Sequence, residues 1–166
     1  MAARGTPAID ALRRAGVAYT VHEYLAGLTD PRGHDRKAWG EEAAAALGVS
    51  PERVFKTLVA ELDGRLVAAL VPVPRDLDLK RLAETLGGRR AVLAAPAAAE
   101  RASGSVVGGI SPLGMRRPLP TVVDASASEH KTVFVSAGRR GLQLELAAAD
   151  LVRLTDARVA PVARSR

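Results

Sequence analysis

Two stretches and one strand face hold the residues that could do chemistry. The first stretch is Val106-Val107-Gly108-Gly109-Ile110-Ser111-Pro112-Leu113-Gly114. Paired glycines let a backbone turn through positive φ and let another group come close to the main chain. Pro112 fixes its own φ and biases Ser111 towards an extended conformation. Such a loop either joins two strands tightly or points several N–H groups into one space, where they would bind a carbonyl oxygen or an oxyanion. The second stretch is Val54-Phe55-Lys56-Thr57-Leu58-Val59. On a strand, Lys56 shares a face with Val54, Leu58 and Ala60, while Phe55, Thr57 and Val59 point the other way. Both faces are largely apolar, so the lysine is expected to be at least partly buried. A buried ammonium is costly unless it is paired or serves a ligand; the alternative is that it snorkels from the strand end. The strand face is that of Thr20, His22 and Tyr24, opposite Val17, Tyr19 and Val21. It is either the wet side of an edge strand or one wall of a pocket.

Composition removes several chemistries. The 166 residues contain no cysteine, which excludes disulfides, thiolate metal sites and a cysteine nucleophile in the protein. The three histidines, His22, His34 and His130, lack metal-ligand spacing. No Ser-His-Asp arrangement or pair of carboxylates stands out, and neither a metal nor a cofactor is expected. Aromatic residues are only 3%, which argues against nucleic-acid binding by aromatic stacking. The net charge of +6 suits a polyanionic partner such as RNA, or else reflects an Ala/Arg-rich composition without functional meaning. No signal peptide or membrane-length apolar run is visible, so a cytoplasmic location without membrane contact is expected.

The elements that must position these residues follow from local signals. Thr6-Pro7 opens a helix carrying Ile9 and Leu12, and Gly16 ends it. A strand runs from Val17 to Tyr24. Leu25 to Lys37 reads as a long loop with Gly27, Pro31 and Gly33, closed by the packing anchor Trp39. A helix is expected over Gly40–Leu47 and a one-turn start at Ser50-Pro51. Strands over Val54–Leu62 and Arg65–Val73 are joined by the hairpin signal Asp63-Gly64. Asp76 or Asp78 caps a helix over Leu79–Leu86. A short strand, Arg89–Leu93, and a short helix, Pro96–Arg101, precede the glycine loop. Strands over Thr121–Asp124, Thr132–Ala137 and Leu142–Leu146 follow, the last two joined by Gly138-Arg139-Arg140-Gly141. A helix ends at Leu154, and the basic tail from Ala157 is expected to be loose. The order predicts an α/β (α+β) fold: a mixed, mostly antiparallel sheet or partial barrel flanked by helices, not a βαβ array. A single domain over 1–166, with its core over about 6–154, is expected.

Four motifs in register carry a resemblance: Val54-Phe55-Lys56-Thr57-Leu58, Leu77-Asp78-Leu79-Lys80, the loop from Val107 to Gly114, and Ser136-Ala137-Gly138-Arg139-Arg140-Gly141-Leu142. From about Thr6 to Leu154 the chain resembles the YbaK/EbsC family of trans-acting aminoacyl-tRNA editing domains, related to the editing insertion of bacterial prolyl-tRNA synthetase. The resemblance implies an aminoacyl-tRNA deacylase, with Cys-tRNA(Pro) as the first substrate to test. It implies that Lys56 holds the terminal adenosine or phosphate, and that Gly108, Gly109, Ile110, Ser111 and Pro112 form the Gly-x-x-x-Pro loop whose amides face the aminoacyl carbonyl. Tyr24 matches a pocket-lining tyrosine, Thr57 and Ser136 match polar residues near the site, and Trp39 falls where relatives carry an aromatic. The implied partners are the tRNA 3′ end and prolyl-tRNA synthetase, with the protein a monomer or weak dimer. In the family the ribose 2′-OH or the cysteine thiol has been proposed to assist hydrolysis.

The chain departs from the family at three places. Gln143 stands where relatives often carry an acid, Ser105 stands where they often carry Tyr, and the segment after Tyr24 is longer. These residues could line the pocket, which keeps Ala- and Ser-charged tRNA open as substrates. Arg116, Arg117, Arg139 and Arg140 are candidates for RNA backbone contacts or are ordinary solvated arginines. Two other classes compete. A non-catalytic tRNA- or synthetase-binding module need not keep Lys56 with an intact glycine loop, and a hydrolase of other small esters would act without tRNA.

Overall fold

The computed structural model describes residues 5–25 and 36–166, the side chains of residues 36–38 apart. Helix α1 (Pro7–Ala15) is capped by the Thr6 hydroxyl, which accepts from the Ile9 N–H at 3.2 Å. The same hydroxyl donates to the Ala137 carbonyl, so the cap also fastens α1 to a distant hairpin. Strand β1 (Tyr19–Glu23) leads to helix α2 (Arg36–Leu47) and a single 3-10 turn at Pro51–Arg53. Strands β2 (Phe55–Leu62) and β3 (Arg65–Pro72) form the expected hairpin. The Asp63 carboxylate in its turn accepts the N–H groups of Arg89 and Arg90, each at 2.9 Å, which brings the next short strand alongside.

The remaining elements are β4 (Asp76–Leu77), α3 (Leu79–Thr85), β5 (Ala91–Leu93), α4 (Pro96–Ser103), β6 (Thr121–Asp124), β7 (Thr132–Ser136), β8 (Leu142–Ala147), α5 (Ala148–Leu154), β9 (Arg158–Ala160) and β10 (Ala163–Arg164). Of the two aspartates proposed as caps, Asp78 caps α3, accepting from the Arg81 N–H.

Two sheets carry the fold. One is antiparallel, in the order β1–β8–β7; the other has five strands in the order β5–β2–β3–β6–β9, with β3–β6 and β6–β9 parallel. A parallel bridge between Val54 and Phe134 joins them, and β4–β10 is a small side ladder. The mixed α/β architecture expected from the sequence is therefore observed. The β2–β3 hairpin is buried on both sides: Phe55 and Leu70 face Leu12, Leu142, Leu144 and Leu151, while Ala69 and Val71 face Leu77, Leu82 and Val162. Two-sided burial explains why residues 67–72 of β3 form an unbroken buried run, where a half-exposed strand would alternate.

The tail is not loose. Strands β9 and β10 pair with β6 and β4, and Val162 between them is fully buried. One Asp124 oxygen accepts the N–H groups of both Val162 and Ala163 at 2.9 Å. Burial alone would raise the Asp124 pKa. Hydrogen bonds from the Ser126 hydroxyl and from the Ala163, Ser126 and Val162 amides outweigh it and hold the group below its ordinary value.

Helix α2 starts at Arg36, before the expected Gly40. Gly40 lies inside it because a Cβ there would sit 2.4 Å from a Val73 methyl; the helix rides directly over the end of β3. Of the long loop expected over Leu25–Lys37, residues 26–35, including Gly27, Pro31, Gly33 and His34, lie outside the described residues. Among the described residues no helix is long and apolar enough to cross a membrane.

Candidate functional site

The site lies between α2 and one face of the three-stranded sheet. Cross-strand register places Ser136 and His22 opposite Gln143, and Thr20 and Phe134 opposite Glu145. These side chains therefore share a face, away from the core side built by Leu142, Leu144 and Leu146. At the far end of this face is a charge network. His22 Nε2 is 3.0 Å from Glu145, Arg53 is 3.5 Å from Glu145, and the Thr132 hydroxyl donates to Glu145 at 2.6 Å. The middle is covered by Ala44 of α2, packed with Phe134 and Val54. The near end, with Ser136, Gln143 and Tyr24, meets the glycine loop. The Thr20/His22 row is thus neither simply a wet edge nor simply a pocket wall.

Each glycine of the loop has its own reason. Gly108 has φ +97°, and a Cβ on it would fall 2.2 Å from the Trp39 ring. A Cβ on Gly109 would fall 2.6–2.8 Å from the backbone of Arg139 and Arg140. The space the glycines leave is filled by the protein itself: Trp39 seats on Gly108 and the β7–β8 hairpin on Gly109. Ser136 reinforces the second of these seats. Its hydroxyl donates to the Gly109 carbonyl at 3.0 Å and accepts the Gly138 N–H at 3.2 Å.

Not all loop amides are available to a ligand. The Gly109 N–H is taken by the Val106 carbonyl, and the Leu113 N–H by the Ser111 hydroxyl. Among the described residues the N–H groups of Gly108, Ile110 and Ser111 donate to no protein acceptor. The oxyanion cradle expected of the loop narrows to these three. Ile110 and Ser111 are buried, and Pro112 closes the loop half-buried.

Trp39 is held from its other side by Arg140, whose guanidinium stacks over the ring at 4.9 Å. Arg140 Nη2 also donates to both carboxylate oxygens of Glu42, at 3.3 and 3.2 Å. The Glu42 side chain is only 3% exposed, so the pair is shielded from water. Tyr24 sits beside them, its N–H bonded to the Gly141 carbonyl at 3.0 Å. Burial raises its phenol pKa, helped by the Glu42 charge and opposed by hydrogen bonds from Gly141 and Gln143 and by the Arg140 charge. The phenol is therefore neutral at physiological pH and can donate a hydrogen bond. Among the described residues the buried Gln143 Oε1 finds no partner, and neither do Trp39 Nε1, Thr57 Oγ1 and Arg140 Nε. Ser105 is half-buried, its hydroxyl 3.9 Å from where a Gly138 Cβ would lie, so it borders the hairpin.

Lys56 is half-buried on the face of Leu58 and Ala60, and its ammonium donates to the Val73 carbonyl at 3.3 Å. Val73 is the link to the loop: its carbonyl takes Lys56, and its side chain touches Gly40, next to Trp39. Thr57 lies on the opposite strand face from Lys56. The Val73 carbonyl accepts a second cation, Arg166 Nη2 at 3.1 Å, which also pairs with Glu41 at 3.0 Å and Asp76 at 3.3 Å.

Sequence reasoning missed Glu42 and Arg166. A signal existed for Glu42: it lies three residues after Trp39 and directly before the buried Ala43 and Ala44, so it faces inward with them. For Arg166 no local signal exists. Among the described residues no group of His, Asp or Glu side chains is arranged to hold a metal ion.

Oriented backbone amides beside an aromatic ring, on a mixed α/β fold, can stabilise an activated carbonyl. Comparison with known proteins gives the family. The family described as "Aminoacyl-tRNA editing domain" matches residues 34–154, and the chain belongs to it. A relative in Enterococcus faecalis, named as a candidate Cys-tRNA(Pro)/Cys-tRNA(Cys) deacylase, EbsC, is 35% identical over 133 residues, covering 75% of this chain and 80% of the relative. A proline–tRNA ligase of Moorella thermoacetica is 36% identical over 103 residues, but the chain spans only 18% of that ligase. The crystal structure of a candidate trans-editing enzyme for prolyl-tRNA synthetase superposes with a TM-score of 0.82 at 25% identity, covering 96% of both chains.

Proposed function

We propose that this protein hydrolyses the ester of mischarged tRNA in trans, with Cys-tRNA(Pro) as its first substrate. The observation that carries the reading is the set of amides at Gly108, Ile110 and Ser111 that meet no acceptor among the described residues, close to Trp39, Tyr24 and Gln143. An aminoacyl ester is already activated, so holding its carbonyl oxygen against oriented amides supplies much of what hydrolysis needs. In this reading water adds to the carbonyl carbon and negative charge builds on the oxygen facing the amides. The ester C–O bond then breaks, the ribose hydroxyl leaves protonated, and the free amino acid is released. The substrate's own 2′-OH or thiol can help to orient or deprotonate the water. Lys56 holds the terminal nucleotide, and Ser136 holds the loop rather than the substrate, since its hydroxyl is already bonded twice.

Such an activity suits a task that binding at a proline site does poorly: rejecting side chains of similar size. A second reading, Ser-charged tRNA, is favoured by one observation, the buried unpaired Gln143 oxygen, which would accept a hydroxyl.

The test is deacylation of tRNA(Pro) charged with Cys, Ala, Ser or Pro by wild type and Lys56→Ala. Loss of Cys alone, abolished by the substitution, supports the first reading. Loss of Ser, reduced by Gln143→Leu, supports the second. Binding of tRNA without loss of any amino acid replaces both with a non-catalytic module, and turnover of aminoacyl esters without tRNA points to a general esterase.

A further inference from the structure

Pro112 belongs to two surfaces. It ends the glycine loop, and it also lines a groove of about 500 Å³ between α1 and the segment up to Thr121. Met115, Pro118 and Leu119 supply apolar walls, and among the described lining residues Arg14 is charged and none is acidic. The sequence carries no acid between Arg101 and Asp124, yet holds Arg116 and Arg117 there.

Arg14, Arg116 and Arg117 are exposed, and among the described residues their guanidinium groups meet no hydrogen-bond or ion-pair partner. Neighbouring arginines behave otherwise: Arg13 pairs with Asp10, Arg139 with Glu23 and Arg140 with Glu42. The Arg116 side chain lies along Gly104, its Nε 3.6 Å from where a Cβ would be, at the end of α4 that feeds the loop. Unpaired cations therefore flank the loop on both sides, Arg116 before Gly108 and Arg14 beside Pro112.

We propose that this groove, with Arg14 on its wall and Arg116 and Arg117 on the segment that forms it, binds the phosphodiester backbone of the RNA strand whose terminal ester occupies the glycine loop. The inference rests on the editing reading above and adds to it a surface and a strand path. From Gly108 to Pro112 the chain can span at most about 14 Å. A stacked strand advances about 3.4 Å per nucleotide. A strand ending at Gly108 thus reaches the groove within about four nucleotides. The guanidinium groups take its phosphates, and the Met115–Pro118 wall takes a ribose or base face.

The test compares wild type, Arg14→Gln, the double variant Arg116→Gln/Arg117→Gln, and Arg65→Gln at the β2–β3 turn as a control for net charge. Each is assayed on misacylated tRNA and on aminoacyl-adenosine across a salt series. The groove variants are expected to raise KM for the tRNA about tenfold with kcat kept. The slope against salt is expected to fall by about 0.7–0.9 for each phosphate that a variant no longer neutralises. Turnover of aminoacyl-adenosine and the Arg65→Gln control stay at wild-type values. Equal KM and equal salt slope in all variants would overturn the proposal, and so would equal losses on both substrates. If wild type hydrolyses neither substrate, the editing reading fails by itself. The surface is then judged by fluorescence anisotropy with uncharged tRNA, where the groove variants must weaken Kd about tenfold and an unchanged Kd overturns it.

Discussion

Two arginine pairs lie close to the glycine loop and look alike in sequence. Arg139-Arg140 occupies the β7–β8 hairpin and Arg116-Arg117 the segment after the loop. The fold treats Arg140 and the second pair in opposite ways. Arg140 is enclosed, stacked on Trp39 and paired with the shielded carboxylate of Glu42, while Arg116 and Arg117 face solvent. An enclosed guanidinium holds Trp39 and Glu42 in place; an exposed one leaves its charge facing solvent. The difference comes from α2, which lays Glu42 beside one pair and supplies no acid to the other.

The comparison breaks first at Arg140. Arg140→Ala takes the partner from a shielded carboxylate and the stacking cation from Trp39, with an expected cost of about 3 kcal/mol in urea melts. Arg140→Lys restores the charge and a single-nitrogen donor to Glu42 but not the flat stack on Trp39, so it is expected to recover only part of the loss. A loss below about 0.5 kcal/mol would mean that Arg140 is as free as Arg116.

Asp124 extends the comparison to an enclosed acid. Asp124→Ala is expected to release β9 and β10 at a cost of about 2 kcal/mol, read as faster amide exchange at Val162 and Ala163. The wild-type carboxyl has a folded pKa below its unfolded value near 3.9, so its contribution is present above about pH 4. It is lost as pH falls through the folded value. Wild-type stability should therefore drop more steeply than that of Asp124→Asn as pH falls below about 4; parallel profiles would remove the carboxylate from the account.

Gly109→Ala sharpens the enclosed side. The added methyl meets backbone of Arg139 and Arg140, which cannot rotate away, so about 1–3 kcal/mol is expected together with loss of deacylation. The smallest effect belongs to the exposed pair: Arg116→Ala and Arg117→Ala should each change stability by less than about 0.5 kcal/mol. A larger change in melting would show a structural contact.

Much of the scaffold is readable locally. The Thr6 cap, the Asp63-Gly64 hairpin and the Asp78 cap involve residues a few positions apart, and each is where short-range rules put it. The tail defeats a local reading because its order depends on Asp124, a carboxylate 38 residues before Val162, with nothing in the tail itself to announce it. The start of α2 escapes the same rules because Gly40 looks like a breaker; only the β3 end beneath it shows why a glycine is needed inside the helix.

For the site, the sequence by itself determined the loop, the lysine within an apolar strand, and the family they imply, since these are contiguous motifs with fixed spacing. It could not decide which loop amides remain free, because Gly109 and Leu113 spend theirs on partners that only the folded loop brings near. Nor could it separate Arg140 from Arg116. Charge is written in the residue type, but pairing and burial are properties of what lies across space. Here that is Glu42, 98 positions from the arginine it holds.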